Sequence, residues 1–157
     1  MKDYKKLSVW ELAHGLAVNV YKATADFPKD EQYGLSSQIR RACVSIPSNI
    51  SEGCGRSGDA ELGRFLQIAL GSANELEYQL LLAHDLQFVS HEVYNNLNDQ
   101  VDHVRRMLIS LIKKTRVTPE ASSRPVSRVS RLAPSVDPSR VQRLAPSVDP
   151  SRVQRNK

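Results

Sequence analysis

Between Leu62 and Ala83 one apolar stripe runs through Leu62, Leu66, Ala69, Ala73, Leu76, Leu80 and Ala83, in steps of 4, 3, 4, 3, 4 and 3. That spacing lays one apolar seam along a helix. A strand cannot present it, because successive strand side chains point to opposite faces. A seam of this kind has to be buried against other helices, so the question becomes what the rest of the chain supplies.

It supplies three more amphipathic segments. Ser8-Val9-Trp10-Glu11 reads as an S-x-x-E capping box that opens a first helix. Its apolar positions are Val9, Leu12, Ala13, Leu16, Val20, Ala23 and Phe27, and Pro28 ends it. A second helix is expected from Asp30 or Glu31, with a stripe of Leu35, Ile39, Ala42/Cys43, Ile46 and Ile50. Gly53, Gly55 and Gly58 break it, and the third helix begins near Ser57 or Asp59. Ser90 is placed to cap a fourth, striped by Val93, Leu97, Val101, Val104, Leu108 and Leu111. Lys113, Lys114 and Arg116 suit the negative end of its dipole. No strand pattern competes. The expectation is an all-α, antiparallel up-down-up-down four-helix bundle over residues 1–116. Gly71, Ser72 and Ala73 suggest a close backbone approach in mid-helix three.

Residues 117–157 differ in kind. The twelve residues RLAPSVDPSRVQ occupy 131–142 and recur unchanged at 143–154, each copy carrying two prolines. Proline at that density excludes a long helix. This Pro/Ser/Arg-rich tail is expected to be disordered. An incidental extension is weighed above a working basic arm. The tail holds eight Lys/Arg and three acids, which accounts for the whole formal charge of +5. Residues 1–116 hold fourteen of each and are neutral. Bulk charge therefore says nothing for nucleic-acid binding by the bundle, and local clusters must be judged singly.

Several chemistries fall away. The two cysteines, Cys43 and Cys54, are eleven residues apart, about 16 Å along one helix, too far for a disulfide. Asn49-Ile50-Ser51 matches a glycosylation sequon, but no secretory leader is evident, so a cytoplasmic location is expected. No apolar run reaches the roughly 18–20 residues of a membrane span. Glu11 and His14 form one E-x-x-H where a di-iron bundle needs two, and no metal or other cofactor is expected. His84, His91 and His103 show no paired ligand spacing and read as surface or helix-end residues. Gly53, Gly55 and Gly58 spell G-x-G-x-x-G after a helix rather than a strand, so they are not a dinucleotide fingerprint. No enzyme is indicated.

What remains are cations: Arg40 and Arg41, Arg105 and Arg106, Lys113 and Lys114. Each cluster alone is more simply a solvated helix face. Arg41 lies beside the core stripe and can pair with Glu75 or Glu77 as readily as with a phosphate. Aromatic interleaving is sparse, so phosphate contact rather than base stacking is the mode to expect. Pro47 interrupts helix two, removing the backbone bond to Cys43, with Ser45 and Ser48 near enough to help satisfy the freed carbonyls. Asn49 and Glu52 beyond it are expected at an inter-helix or subunit contact.

These motifs together resemble a family. Trp10, Phe27-Pro28, Tyr33-Gly34-Leu35, Gln38, Arg41, Ser45-Ile46-Pro47, Asn49-Ile50, Glu52-Gly53, Ala69, Gly71-Ser72 and Glu75-Leu76 are similar to the pattern of four-helix-bundle proteins encoded by 23S ribosomal RNA intervening sequences. The likeness covers about residues 7–115. Trp10, Pro28, Pro47, Asn49, Glu52, Gly53, Gly71 and Glu75 are its structural signature, and the tail has no counterpart. That family resembles accessory variability proteins of retroelements. The resemblance implies a homo-oligomer, a pentamer by that analogy, with RNA or DNA as ligand and, by analogy alone, a reverse transcriptase as partner. A protein-protein interaction scaffold without nucleic acid is the alternative.

Overall fold

The computed structural model describes residues 3–117; the repeat tail lies outside them. Four helices follow one another: α1 (Ser8–Ala23), α2 (Leu35–Gly55), α3 (Asp59–Asp85) and α4 (His91–Val117). Short 3-10 turns, Tyr4–Lys6 and Lys29–Glu31, precede α1 and α2. Helix contacts run α1 to α2, α2 to α3, α3 to α4 and α4 back to α1, and neither diagonal pair touches. Specific pairs fix the direction. Gly63 near the start of α3 meets Thr115 near the end of α4, while Glu77 meets Arg105 further up. Ser72 of α3 bonds Ser45 of α2. Neighbouring helices therefore run antiparallel, as the short connections dictate.

The core is built from the expected stripes. All seven seam residues of α3 are buried, as are Leu35, Ile39, Ala42, Cys43, Ile46 and Ile50 of α2. Two stripe members differ. Leu12 and Val93 are 38% exposed each, and Ala17 and Ile112 take up core positions instead.

Helix ends depart from the sequence reading more than helix faces do. Leu7, not Ser8, is the N-cap of α1, and no side chain bonds there, so the expected capping box is not formed. Ser8 already lies inside the first turn, where its hydroxyl has no free amide two or three residues ahead to accept from. The helix stops at Ala23, short of Pro28. Thr24 ends it, buried, with its hydroxyl donating to the Tyr21 carbonyl at 3.3 Å. The segment at Asp30 and Glu31 makes only a 3-10 turn; α2 proper starts at Leu35, whose amide donates to Glu31 Oε2 at 2.9 Å. Ser90 does cap α4, accepting from the Val93 amide at 3.3 Å.

Glycines divide sharply. Gly58, before α3, has a φ of 89°, which only glycine adopts without strain. At Gly53 an added Cβ would lie 2.9 Å from the Phe65 Cβ and 3.1 Å from Leu62 Cδ1. Gly71 has nothing within 4 Å and faces solvent. The close approach expected at Gly71 therefore falls at Gly53, where α2 and α3 converge on their short link.

Candidate nucleic-acid interface

The six candidate cations do not share one surface. Arg40 and Arg41 lie on α2; the other four lie on α4, which sits diagonally across the bundle from it. Each group contains one cation tied to the protein, Arg40 or Arg105, beside exposed ones.

Arg40 is committed to the protein. Its Nε donates to Thr24 Oγ1 at 2.9 Å, its Nη2 to the Thr24 carbonyl at 3.2 Å, and its guanidinium lies 5.1 Å from the Tyr21 ring centre. A cation there satisfies the carbonyl end of α1 and complements its dipole. Arg105 is likewise committed, 2.8 Å from Glu77 Oε2 on α3 and 3.0 Å from Asp102 Oδ1 on its own helix. Glu77 is thus taken by Arg105, and Glu75 accepts from Gln79 at 2.9 Å. The expected pairing of Arg41 with either acid is not made. The Arg41 side chain is too exposed, at the mouth of the α2–α3 groove, to need one.

Arg41, Arg106, Lys113 and Lys114 are exposed and make no ion pair among the described residues. Arg106 and Lys113 are two helical turns apart on one outward stripe, about 10 Å of rise. Residues 103–117 carry five Lys/Arg and no Asp or Glu. The second half of α4 thus gathers cations with no acid among them; the acids of this helix, Glu92, Asp99 and Asp102, precede it.

Signature residues have mostly packing roles. Trp10 stacks on His14 with ring centres 5.2 Å apart and meets Tyr4 edge-on at 4.9 Å. Pro28 begins the 3-10 turn before α2. Pro47 is buried within a continuous α2. Around it Ser48 Oγ donates to the Val44 carbonyl at 2.8 Å and Asn49 Nδ2 to the Ser45 carbonyl at 2.8 Å. Asn49 therefore bonds back along α2, and exposed Glu52 pairs with Arg56 one turn on. Neither hydrogen-bonds directly to a neighbouring helix among the described residues; each finds a partner at the i±4 spacing of its own helix. Other polar residues of the wider family pattern, Tyr33, Gln38, Arg41, Ser45 and Ser72, line with Glu75 one groove of about 880 Å³ between α2 and α3.

Two features were not legible in the spacing. Tyr33 is 91% and Tyr78 64% exposed, large apolar rings left on the surface. And His84 meets His91: Nε2 of the first stands 3.3 Å from Nδ1 of the second across the α3–α4 turn. Reading the two as unrelated missed this, since seven residues bring side chains together only if the turn between them is known. Glu11 and His14 make no metal cluster; among the described residues no group of three or more His, Cys, Asp or Glu is placed to hold a metal ion. Nor is any described helix long and apolar enough to cross a membrane.

Burial pushes the Cys43 thiol up to about 11 from its ordinary 9.0. Such a thiol is inert at neutral pH, and Cys43 and Cys54 are both buried without a disulfide.

Comparison with known proteins agrees with this architecture. The family model described as 23S rRNA-intervening sequence protein matches residues 5–110. Among solved structures, the chain is similar to a protein of unknown function from the S23 ribosomal protein family of Bacteroides thetaiotaomicron. The two are 30% identical with a TM-score of 0.63, over 67% of this chain and 95% of that one. No curated protein matches.

Proposed function

The chain belongs to the 23S rRNA-intervening sequence protein family, and from that premise we propose that it is a non-enzymatic, self-associating helical bundle that holds structured RNA by its phosphates. The observation that carries this is the acid-free half of α4, where Arg106, Lys113 and Lys114 stand exposed and unpaired among the described residues. Cations on a rigid helix bind phosphates at the cost of little ordering, and they read shape rather than sequence. One protomer offers a short stripe only. Repetition of α4 around an oligomer multiplies the stripe, which is how a neutral bundle can present a basic surface. Exposed Tyr33 and Tyr78, with solvent-facing Gly71, are surface suited to such self-association.

Filter binding of a structured RNA to the full chain tests this, with sedimentation to give the oligomeric state. Binding that weakens when Arg106, Lys113 and Lys114 are changed to Gln supports it; a monomer that ignores RNA at low salt defeats it.

A scaffold for other proteins is the second reading. It rests on the mostly apolar groove of about 600 Å³ between α1 and α2, lined by Trp10, His14, Val18, Tyr21, Val44 and Pro47 among others. Partners captured by the chain and retained after nuclease treatment favour it, and partners lost with nuclease return the case to RNA.

A further inference from the structure

We propose that His84 and His91 form a two-histidine site for a first-row transition cation, with Zn²⁺ as the natural probe, that clips α3 to α4. The turn makes the site. Gln87 adopts a φ of 60°, its amide bonds the His84 carbonyl at 2.9 Å, and the Phe88 amide bonds the Ala83 carbonyl at 2.9 Å. Those two bonds are a Schellman closure, which ends α3 tightly and starts α4 four residues on. Phe88 then packs on Phe27 with ring centres 5.5 Å apart, which anchors the turn to the bundle.

The two imidazoles are held within that rigid frame. His84 is stacked on Tyr94 with ring centres 4.7 Å apart and an interplanar angle of 27°. Its Nδ1 stands 3.5 Å from Asp85 Oδ1, in ion-pair range without a hydrogen bond to it. The carboxylate lies beside Nδ1 without a hydrogen bond to it, and Nε2 is the ring nitrogen that faces the second histidine. His84 Nε2 stands 3.3 Å from His91 Nδ1. Two nitrogens each about 2.0–2.1 Å from one tetrahedral ion are separated by about that distance. Imidazole is a ligand that Zn, Cu and Ni share.

In the metal-free chain the same contact is an N–H···N hydrogen bond whose proton sits on one ring or the other according to tautomer. The cation takes the place of that proton, and the ring that held it carries its hydrogen on its other nitrogen instead. No net proton is lost from the protein by this tautomer change. His91 is exposed, so the ion enters from solvent, and water completes its coordination.

Calorimetric titration of the full chain with ZnCl₂ tests the proposal. The expected result is saturable uptake of one ion per chain, weakened at least tenfold in His91→Ala and in His84→Gln and unchanged in His14→Ala and His103→Ala. His91 is on the surface, so its variant reports binding even if the His84 variant folds poorly. Absence of saturable uptake, or uptake as tight in His91→Ala as in the parent, overturns the proposal.

Discussion

The Cβ that Gly53 lacks would stand 2.9 Å from the Cβ of Phe65, so α2 and α3 meet there backbone to side chain. Leu62 Cα is only 3.5 Å from the same point and cannot swing aside. Gly53→Ala should therefore cost about 1–3 kcal/mol through overpacking. Gly71→Ala is the matched control, since nothing lies within 4 Å of it. It should stabilise the helix by up to about 1 kcal/mol. Denaturant unfolding of both variants measures the contrast; equal effects would contradict the assignment of the close approach to Gly53.

Arg105 joins α4 to α3 through Glu77 with both side chains only about a third exposed, at 30% and 37%. After allowance for solvent screening, the pair should couple by about 0.5–1 kcal/mol in a double-mutant cycle of Arg105→Gln and Glu77→Gln. RNA affinity should move little in Arg105→Gln, because that guanidinium is already occupied. A loss of RNA binding as large as that of Arg106→Gln would show Arg105 to be a phosphate ligand instead.

Cys43 offers a pH test. Its folded-state pKa, about 11, lies above the ordinary 9.0 because burial disfavours the thiolate. The neutral thiol is thus favoured by folding, and its contribution is fully present below pH 9 and lost as pH rises toward 11. Stability of the parent should fall more steeply across that window than stability of Cys43→Ala. Thiol reagents at pH 8 should label Cys43 only at the rate of unfolding. Fast labelling of the native protein would mean that the thiol is not enclosed.

Helix faces were legible in the sequence, and helix ends only in part: the Ser90 cap and the break between Gly55 and Asp59 were, the starts of α1 and α2 were not. The α3 seam from Leu62 to Ala83 is buried throughout, because burial of an apolar stripe is a property of the whole segment. Caps depend on single backbone angles. The S-x-x-E at Ser8 was overridden once Leu7 took the N-cap position, and Glu31 acquired a capping role through the Leu35 amide that no motif announces. The candidate interface shows the same division. Spacing identified the basic clusters, but only geometry separates Arg40 and Arg105, tied to Thr24 and Glu77, from exposed Arg41 and Arg106. The His84–His91 contact depends on a Schellman turn closed at a non-glycine residue, Gln87, which carries no sequence signal.

The central claim is that the outward cations of α4 hold RNA phosphates, and the salt dependence of binding tests it most directly. Affinity of the full chain for a structured RNA would be measured across a series of salt concentrations, for the parent and for the Arg106→Gln, Lys113→Gln, Lys114→Gln triple variant. Three lost phosphate contacts should lower the slope of log K against log salt concentration by about 2–3. An unchanged slope and affinity in the triple variant would contradict the claim and move the binding away from α4.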